Sequence, residues 1–326
     1  MTGNGIFDRA VPRRAVLASS LPLVAAATMR PAAATTSDRP AFGAPARSES
    51  VVMSALDPDA RSGFEVRLCR YPDAGVTWAW AQVFHASRVY SFTDTTWPCT
   101  RAMTPVDEAG AQYAASQAEG RIVFDRAGSR PAPRGVKLAL SLGLHQNPFA
   151  PDGPGRTPVE LIAEFMPVSA SEGILDGRSE IKGTIGAKLR IGNRSLALAC
   201  LGHYHEQVQE KPRFVDPFVY FRGWGRGIYF TMLRGAAASS SGGVLFQDGK
   251  PIRAVAFDVA PPSASRRFRI KREDGSSMQG HADATYVFGQ RIYGAWRPSR
   301  IVRGEVDGIR FAGMLNDWRP EKLPYI

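Results

Sequence analysis

The chain has 326 residues, a formal net charge of +11 and 44% apolar side chains, 10% of all residues being aromatic. That is material for a sizeable core and about two domains. Its 32 glycines and 24 prolines, with few long amphipathic stretches, exclude a helical bundle and favour short strands joined by turns.

At the N-terminus, Arg13 and Arg14 precede the apolar run from Ala15 to Ala27, and Ala32, Ala33 and Ala34 offer small residues to a peptidase. This is the order of an export leader, and the run is too short to span a bilayer. The paired arginines point to the twin-arginine route, with an ordinary secretory leader as the alternative. Residues 1–34 are therefore expected to be the leader and 35–50 a Pro/Ala/Ser linker. The chain is expected in the periplasm or outside the cell, with no integral membrane segment; contact with a membrane surface stays open. The basic residues are scattered, and the one run, Arg266 to Arg272, alternates so that Arg267, Arg269 and Lys271 share a solvated strand face. Nucleic acid is not an expected partner. Of the three cysteines, Cys69 and Cys99 flank one presumed hairpin and are expected to pair, with Cys200 a buried apolar residue.

From Gly63 the pattern alternates. Phe64, Val66 and Leu68 oppose Glu65, Arg67 and Cys69, a half-buried strand. Two more strands follow, over 76–85 and 89–97; Trp78 and Trp80 share one face as core or as the wall of an apolar cavity. Asp94 lies in the third. Residues 135–145 alternate towards His145, and Val159 to Pro167 reads as a strand or one short helix. Asp248-Gly249 closes a hairpin. Short strands then continue to Asp317-Trp318-Arg319, which reads as packing of the last strand. The series predicts an all-β chain of barrels or sandwiches.

The densest stretch is Glu180 to Leu233. A strand, a turn at Gly192-Asn193-Arg194 and a second strand form a hairpin. In the second strand Ala197, Ala199, Leu201, His203 and His205 share one face. Leu196, Leu198, Cys200, Gly202, Tyr204 and Glu206 share the other. An aromatic segment with Tyr220, Trp224 and Arg226 follows.

The run from Gly183 to Val208, the Trp-Gly segment and the Gly243–Ile252 hairpin together resemble the carotenoid 1,2-hydratase (hydroxyneurosporene synthase) and AttH-like family. Gly202 falls on the family's motif glycine and His203 on the aromatic or histidine after it. His205 stands where members often carry aspartate, and Gln209 stands where the motif ends in glycine. Trp224 and Arg226 match its Trp-Gly-Arg position. The resemblance covers about residues 175 to 255. It implies two lipocalin-like antiparallel β-barrels, placed at 51–180 and 181–326, with the site mainly in the second. It also implies hydratase or cyclase chemistry on an isoprenoid, phenolic or polyketide-like substrate.

Such chemistry needs an acid or base tuned by burial, and aromatic faces beside a developing cation. The candidates are His203, His205, Glu206 and Tyr204 for proton transfer, and Trp224, Arg226, Tyr220, Trp80 and Trp78 for holding a small apolar substrate in a barrel pocket. No cofactor is expected. A metal on His203-x-His205 would need a third ligand, with His281 or Asp283 as candidates, and is not expected. The alternative is an exported lipocalin-like binding protein without catalysis.

Overall fold

The computed structural model of the chain describes residues 47–99, 110–130, 132–146, 149, 155–172, 178–210, 217–235, 241–292 and 295–318. The expected leader, most of the linker and Arg319 lie outside them. Among the described residues every regular element is a strand, apart from a 3-10 turn at Pro72–Ala74. Among those residues no helix is long and apolar enough to cross a membrane. All the strands lie in one compact unit, residues 42–326.

Ten strands form the first sheet: β1 (Ser48–Leu56), β2 (Gly63–Tyr71), β3 (Val76–His85), β4 (Arg88–Pro98), β5 (Gly110–Gln117), β6 (Gly120–Ala127), β7 (Gly135–His145), β8 (Arg156–Glu172), β9 (Arg178–Ile191) and β10 (Arg194–Gln209). Their order is β4-β3-β2-β1-β10-β9-β8-β7-β6-β5, all antiparallel, and a bridge from Ser91 to His145 joins β4 to β7. Eight more strands close a barrel: β11 (Phe218–Gly225), β12 (Ile228–Gly235), β13 (Ser241–Gln247), β14 (Lys250–Val259), β15 (Ser265–Arg272), β16 (Ser277–Ile292), β17 (Ala295–Val306) and β18 (Ile309–Trp318). The all-β, lipocalin-like architecture expected from the sequence is present. The residues 159–167 are strand, not helix.

The first sheet runs on to Gln209 and the barrel starts at Phe218, some thirty residues beyond the expected division at 180. The reason is the register. β1, the first described strand, pairs with β10, so the hairpin β9–β10 completes the first sheet rather than opening the second.

Alternation decides what each strand buries. On β9, Ile181, Ile185, Ala187, Leu189 and Ile191 are buried inside the first sheet while Thr184, Gly186, Lys188 and Arg190 are exposed. On β1 and β2 every residue is buried, on both faces. One face, including Val51, Met53, Phe64, Val66 and Leu68, fills the first core. The other face packs on the barrel. Two apolar layers fill that contact. One joins Leu56, Phe84 and Val89 to Trp224, Tyr229, Phe246, Phe288 and Ile301. The other joins Cys69, Tyr71, Trp78 and Trp80 to Ile292, Trp318 and Phe218. Each such side chain taken from water contributes about 1.5–3 kcal/mol. β10 changes character along its length: its outer face is exposed at Ala197 and Ala199 and buried at His203 and His205, where the barrel covers it.

No disulfide links the cysteines. Cys69 stands across from Trp78, whereas the Cys99 amide bonds the carbonyl of Gly75, just before β3 and three residues back from Trp78. That offset is roughly 10 Å of strand, beyond the reach of a disulfide.

The hairpin turns show local chemistry at work. Asp248 and Gly249 both take positive φ, 51° and 79°, the primed turn whose twist suits a hairpin. The turn from β3 to β4 needs the same geometry but is built from Ala86 and Ser87, at φ 50° and 61°. A Cβ in that region costs about 1 kcal/mol or more. Ser87→Gly is therefore expected to raise the melting temperature by a few degrees, measured by thermal unfolding followed by circular dichroism; a drop would mean that the turn is held by its side chains.

Candidate functional site

A buried polar cluster lies where the outer face of β1, β2, β9 and β10 meets the barrel. Counting outward from the two-residue turn Gly192-Asn193 pairs Ile191 with Arg194 and, eleven steps on, Glu180 with His205. His203 is two residues away on the same face. The carboxylate therefore meets both rings: Glu180 Oε2 is 2.5 Å from His203 Nε2, and Oε1 is 3.0 Å from His205 Nδ1. The barrel adds Tyr220 from β11, whose hydroxyl donates to Oε1 at 3.2 Å, and Thr231 from β12, donating to Oε2 at 3.3 Å. Tyr229 bonds Thr231 at 3.0 Å and reaches Oε2 at 3.5 Å. The rings of Trp224 and Tyr229 stack beside His203, with centroids 6.4 and 5.9 Å away.

Arg222 of β11 sits behind His203. It donates to Nδ1 at 3.1 Å and to Ser54 Oγ at 3.1 Å, and it pairs with Glu65. A guanidinium can only donate. His203 Nδ1 is therefore the acceptor, and the ring's proton is on Nε2, pointing at Glu180. Both nitrogens of His203 are committed. His205 differs. Its Nδ1–H donates to Glu180, which leaves Nε2 as a lone-pair nitrogen, and at 3% exposure it is the least enclosed of the three residues. A carboxylate thus fixes the tautomer of the His205 imidazole, the logic by which a buried acid orients a catalytic histidine.

Burial opposes charge on Glu180, yet the two imidazoles and their hydrogen bonds outweigh it and hold the carboxyl well below its usual range. Burial pushes His205 down to about 3, against the pull of Glu180. His203 moves down for the same first reason, helped by Arg222. Glu65, though buried, is held ionised by Arg222 and Arg297. Burial, with Glu180 beside them, raises both the Tyr220 and Tyr229 phenols, which stay neutral donors. Burial thus favours neutral histidines, while the neighbouring groups favour ionised Glu180 and Glu65.

Arg178, beside the cluster, places Nη1 3.8 Å from Glu180 Oε1, too far for a hydrogen bond, and its guanidinium lies 5.4 Å over the Tyr220 ring. That Nη1 is buried without a hydrogen-bond partner among the described residues. Arg67 faces the cluster from β2, donating to Ser50 Oγ at 3.2 Å, and stacks on Trp80 at 4.9 Å. Arg297 stacks on the same indole at 5.5 Å and lies 3.9 Å from Glu65.

Ligand atoms of Glu180, His203 and His205 lie within 4.8 Å of one another, the spacing of a metal site. The donor set does not suit one. A divalent ion on His203 Nε2 needs a lone pair there, and Arg222 forces the proton to that nitrogen; in metal sites the second nitrogen donates rather than accepts.

The structure thus brings together His203, His205, Tyr220 and Trp224 among the expected residues, with Trp80 reaching them through Arg67 and Arg297. Trp78 packs on Tyr71 at 4.5 Å, away from the cluster. Arg226 is exposed in the turn after β11. Tyr204 and Glu206 point the other way, as alternation requires, into the first sheet. There Glu206 pairs with Arg126 at 3.0 Å and Tyr204 packs on Phe165. They are not part of this site. Asp94 bonds its own turn at Thr96. The cluster also sits between the sheet and the barrel, not inside either, which corrects the expected barrel pocket.

A cleft of about 1210 Å³ opens next to the cluster. Leu201 and Trp224 line it, each close to His203 in the sequence or in space. Arg226, His281, Asp283, Arg303 and Glu305 line its outer part. His281 and Asp283 therefore belong to the cleft wall and do not join the Glu180 cluster.

No protein-family model matches the chain. No curated protein matches it. Solved structures do. CghA bound to Sch210972 superposes with a TM-score of 0.60 at 10% identity, covering 84% of this chain and 89% of that one. CghA without it gives 0.60 at 11%, covering 86% and 90%. A Nitrosomonas europaea protein assigned as AttH gives 0.53 at 8%, covering 83% and 91%. At such identities the likeness carries the fold and not the chemistry: this chain has the fold of CghA and the AttH protein over most of its length.

Proposed function

We propose that the chain is an AttH-like hydratase, dehydratase or cyclase whose reaction takes place at His205, on a largely apolar substrate carrying a conjugated carbonyl. The observation that carries this reading is a pairing of groups. An imidazole with its tautomer fixed by Glu180 stands beside a guanidinium, that of Arg178, whose buried Nη1 has no hydrogen-bond acceptor among the described residues and lies 3.8 Å from Glu180. Hydration of a conjugated carbonyl needs a base to take a proton from water and a donor for the oxygen that becomes an enolate. His205 Nε2 fits the first need. Arg178 and Arg67 fit the second, and Glu180 steadies the imidazolium while it lasts. The reverse order removes a proton next to the carbonyl and expels water. Cyclisation uses the same donors to polarise the carbonyl, with Trp224 and the cleft fixing the fold of the substrate.

Protonation of an isolated alkene, the carotenoid-type reaction, is less well served. It needs a strong acid, and burial pulls both histidines towards the neutral form. CghA was solved with Sch210972; a ligand of comparable bulk in the cleft of this chain is part of the proposal.

The first step of the test is mass spectrometry of small molecules that co-purify with the chain. The second is incubation with conjugated ketones in oxygen-18 water, reading label uptake. Wild type is expected to incorporate label, and His205→Ala and Arg178→Met are expected to lose roughly 10²–10⁴-fold in rate with folding intact. Equal rates in all three would remove both residues from the reaction. A co-purified ligand recovered unchanged after long incubation would favour the binding-protein reading instead.

A further inference from the structure

We infer that the exposed face of β8, at the lip of the cleft, docks on an anionic lipid surface. The large apolar side chains left most exposed are Ile162 at 62%, Met166 at 57% and Val168 at 64%, all on this one strand. Their exposure follows from the strand itself. Val159, Leu161, Ala163 and Phe165 fill the first core, so Ile162 and Met166 must point out. A register shift between Pro167 and Ser169 leaves Val168 outside as well. Clustered exposed apolar residues mark an interaction surface, whereas scattered ones do not. Val255 and Val287 are also exposed, but stand singly on the barrel.

The neighbouring strand supplies the charge. Across from Ile162 on β9 stands Lys188, and across from Ser169 stands Lys182. Neither has an ion-pair partner among the described residues. The acidic residues of the same β8 face are matched: Glu160 pairs with Arg190, and Glu164 with Lys137 at 3.6 Å. Between the lysines Gly186 and Thr184 leave the sheet low and open, and the one exposed carboxylate there, Glu164 between Ile162 and Met166, is matched by Lys137, so the face keeps two unmatched cations among its apolar side chains. A face of exposed apolar side chains with two unmatched lysines complements anionic headgroups above acyl chains. A second copy of this chain would bring lysine against lysine if it met the strip face to face.

The strip is continuous with the cleft. Met166, Thr184 and Gly186 line both. Met166 lines the same cleft as Leu201 and Trp224, so a molecule leaving the bilayer along Ile162 and Met166 enters at that edge. The docking surface does not depend on the cluster being catalytic.

The test is co-sedimentation of the full chain with phosphatidylcholine vesicles, with and without phosphatidylglycerol, at low ionic strength. Wild type is expected to sediment with the anionic vesicles and much less with the neutral ones. Lys182→Gln and Lys188→Gln are each expected to weaken the anionic binding about fivefold. The triple change Ile162→Ser, Met166→Ser, Val168→Ser is expected to abolish it, and Val255→Ser to leave it intact. These residues are outside the core, so melting temperature serves as the folding control. Wild type staying in the supernatant, or the triple variant sedimenting like wild type, would overturn the inference. So would sedimentation velocity showing a wild-type dimer that the triple variant disperses, since the strip would then be a contact between copies.

Discussion

Replacing Arg222 by methionine is expected to lower the melting temperature by on the order of 10 °C. The guanidinium is buried and holds three groups at once: Glu65, Ser54 and His203. Methionine fills much of the same volume but removes the charge. Glu65 is then a buried carboxylate whose nearest remaining cation is Arg297 at 3.9 Å. Breaking one partner out of a buried pair typically costs about 3–5 kcal/mol, because the other charge is left uncompensated. In a chain of this size each kcal/mol moves the melting temperature by roughly 2–4 °C. Adding Glu65→Gln to Arg222→Met removes the orphaned charge and is expected to restore a large part of the loss. A loss below about 1 kcal/mol in the single variant, measured by urea unfolding, would mean that water reaches Glu65 and the cluster is not sealed. There is a second readout. With Arg222 gone, nothing forces the proton of His203 onto Nε2, and nitrogen chemical shifts are expected to report a mixed tautomer.

Much of this cluster was within reach of the sequence, and the reason it was partly missed is instructive. Alternation alone separates His203 and His205 from Tyr204 and Glu206, and that separation holds in the structure. Counting Glu206 and Tyr204 among the proton-transfer candidates went against it. The acid is Glu180, on the preceding strand. A two-residue turn at Gly192-Asn193 fixes the register of the whole hairpin, and counting back from it lands on Glu180 opposite His205. The signal was local and legible. Arg222 and Glu65 were not, because they come together only when the barrel docks on the sheet, across 157 residues of chain. Arg178 belongs to the same class: that its Nη1 is buried with no hydrogen bond among the described residues is a fact about burial, which no spacing encodes.

The division between the two halves was misjudged for a related reason. A hairpin can belong to either of two neighbouring sheets, and its own sequence does not say which. What decides is the partner of β10, and that partner is β1, about 150 residues earlier. Once β1 and β10 pair, residues 178–209 complete the first sheet, and their outer face becomes the floor on which the barrel rests. The consequence is functional. The histidines are supplied by the first half and the tyrosines, tryptophan and arginine by the second, so the site is made by docking and not by either fold alone.

Acid should unfold this protein earlier than carboxylates alone would dictate, and the sign follows from His205. In the unfolded chain its pKa is near 6.5; in the folded protein burial holds it at about 3. Below 6.5 the unfolded state takes up a proton that the folded state refuses. The stabilising effect of the neutral ring is therefore complete above pH 6.5 and is lost as pH falls towards 3. Each such histidine tilts stability by about 1.4 kcal/mol per pH unit within that window, or about 2 kcal/mol between pH 6.5 and 5. His203 is shifted in the same direction and adds to the slope. Glu180 is depressed from 4.5, so its contribution is lost only below that value and deepens the fall at lower pH. Urea midpoints measured from pH 7.5 to 4.5 are expected to begin falling near pH 6.5. His205→Gln removes one titrating ring and keeps an amide that can donate to Glu180, and it is expected to flatten the upper part of that curve. Midpoints that stay level from pH 7 to 5 in the wild type would show the histidines titrating near their ordinary values. They would then be reached by water, and a buried, carboxylate-oriented imidazole could not be the group on which the reaction turns.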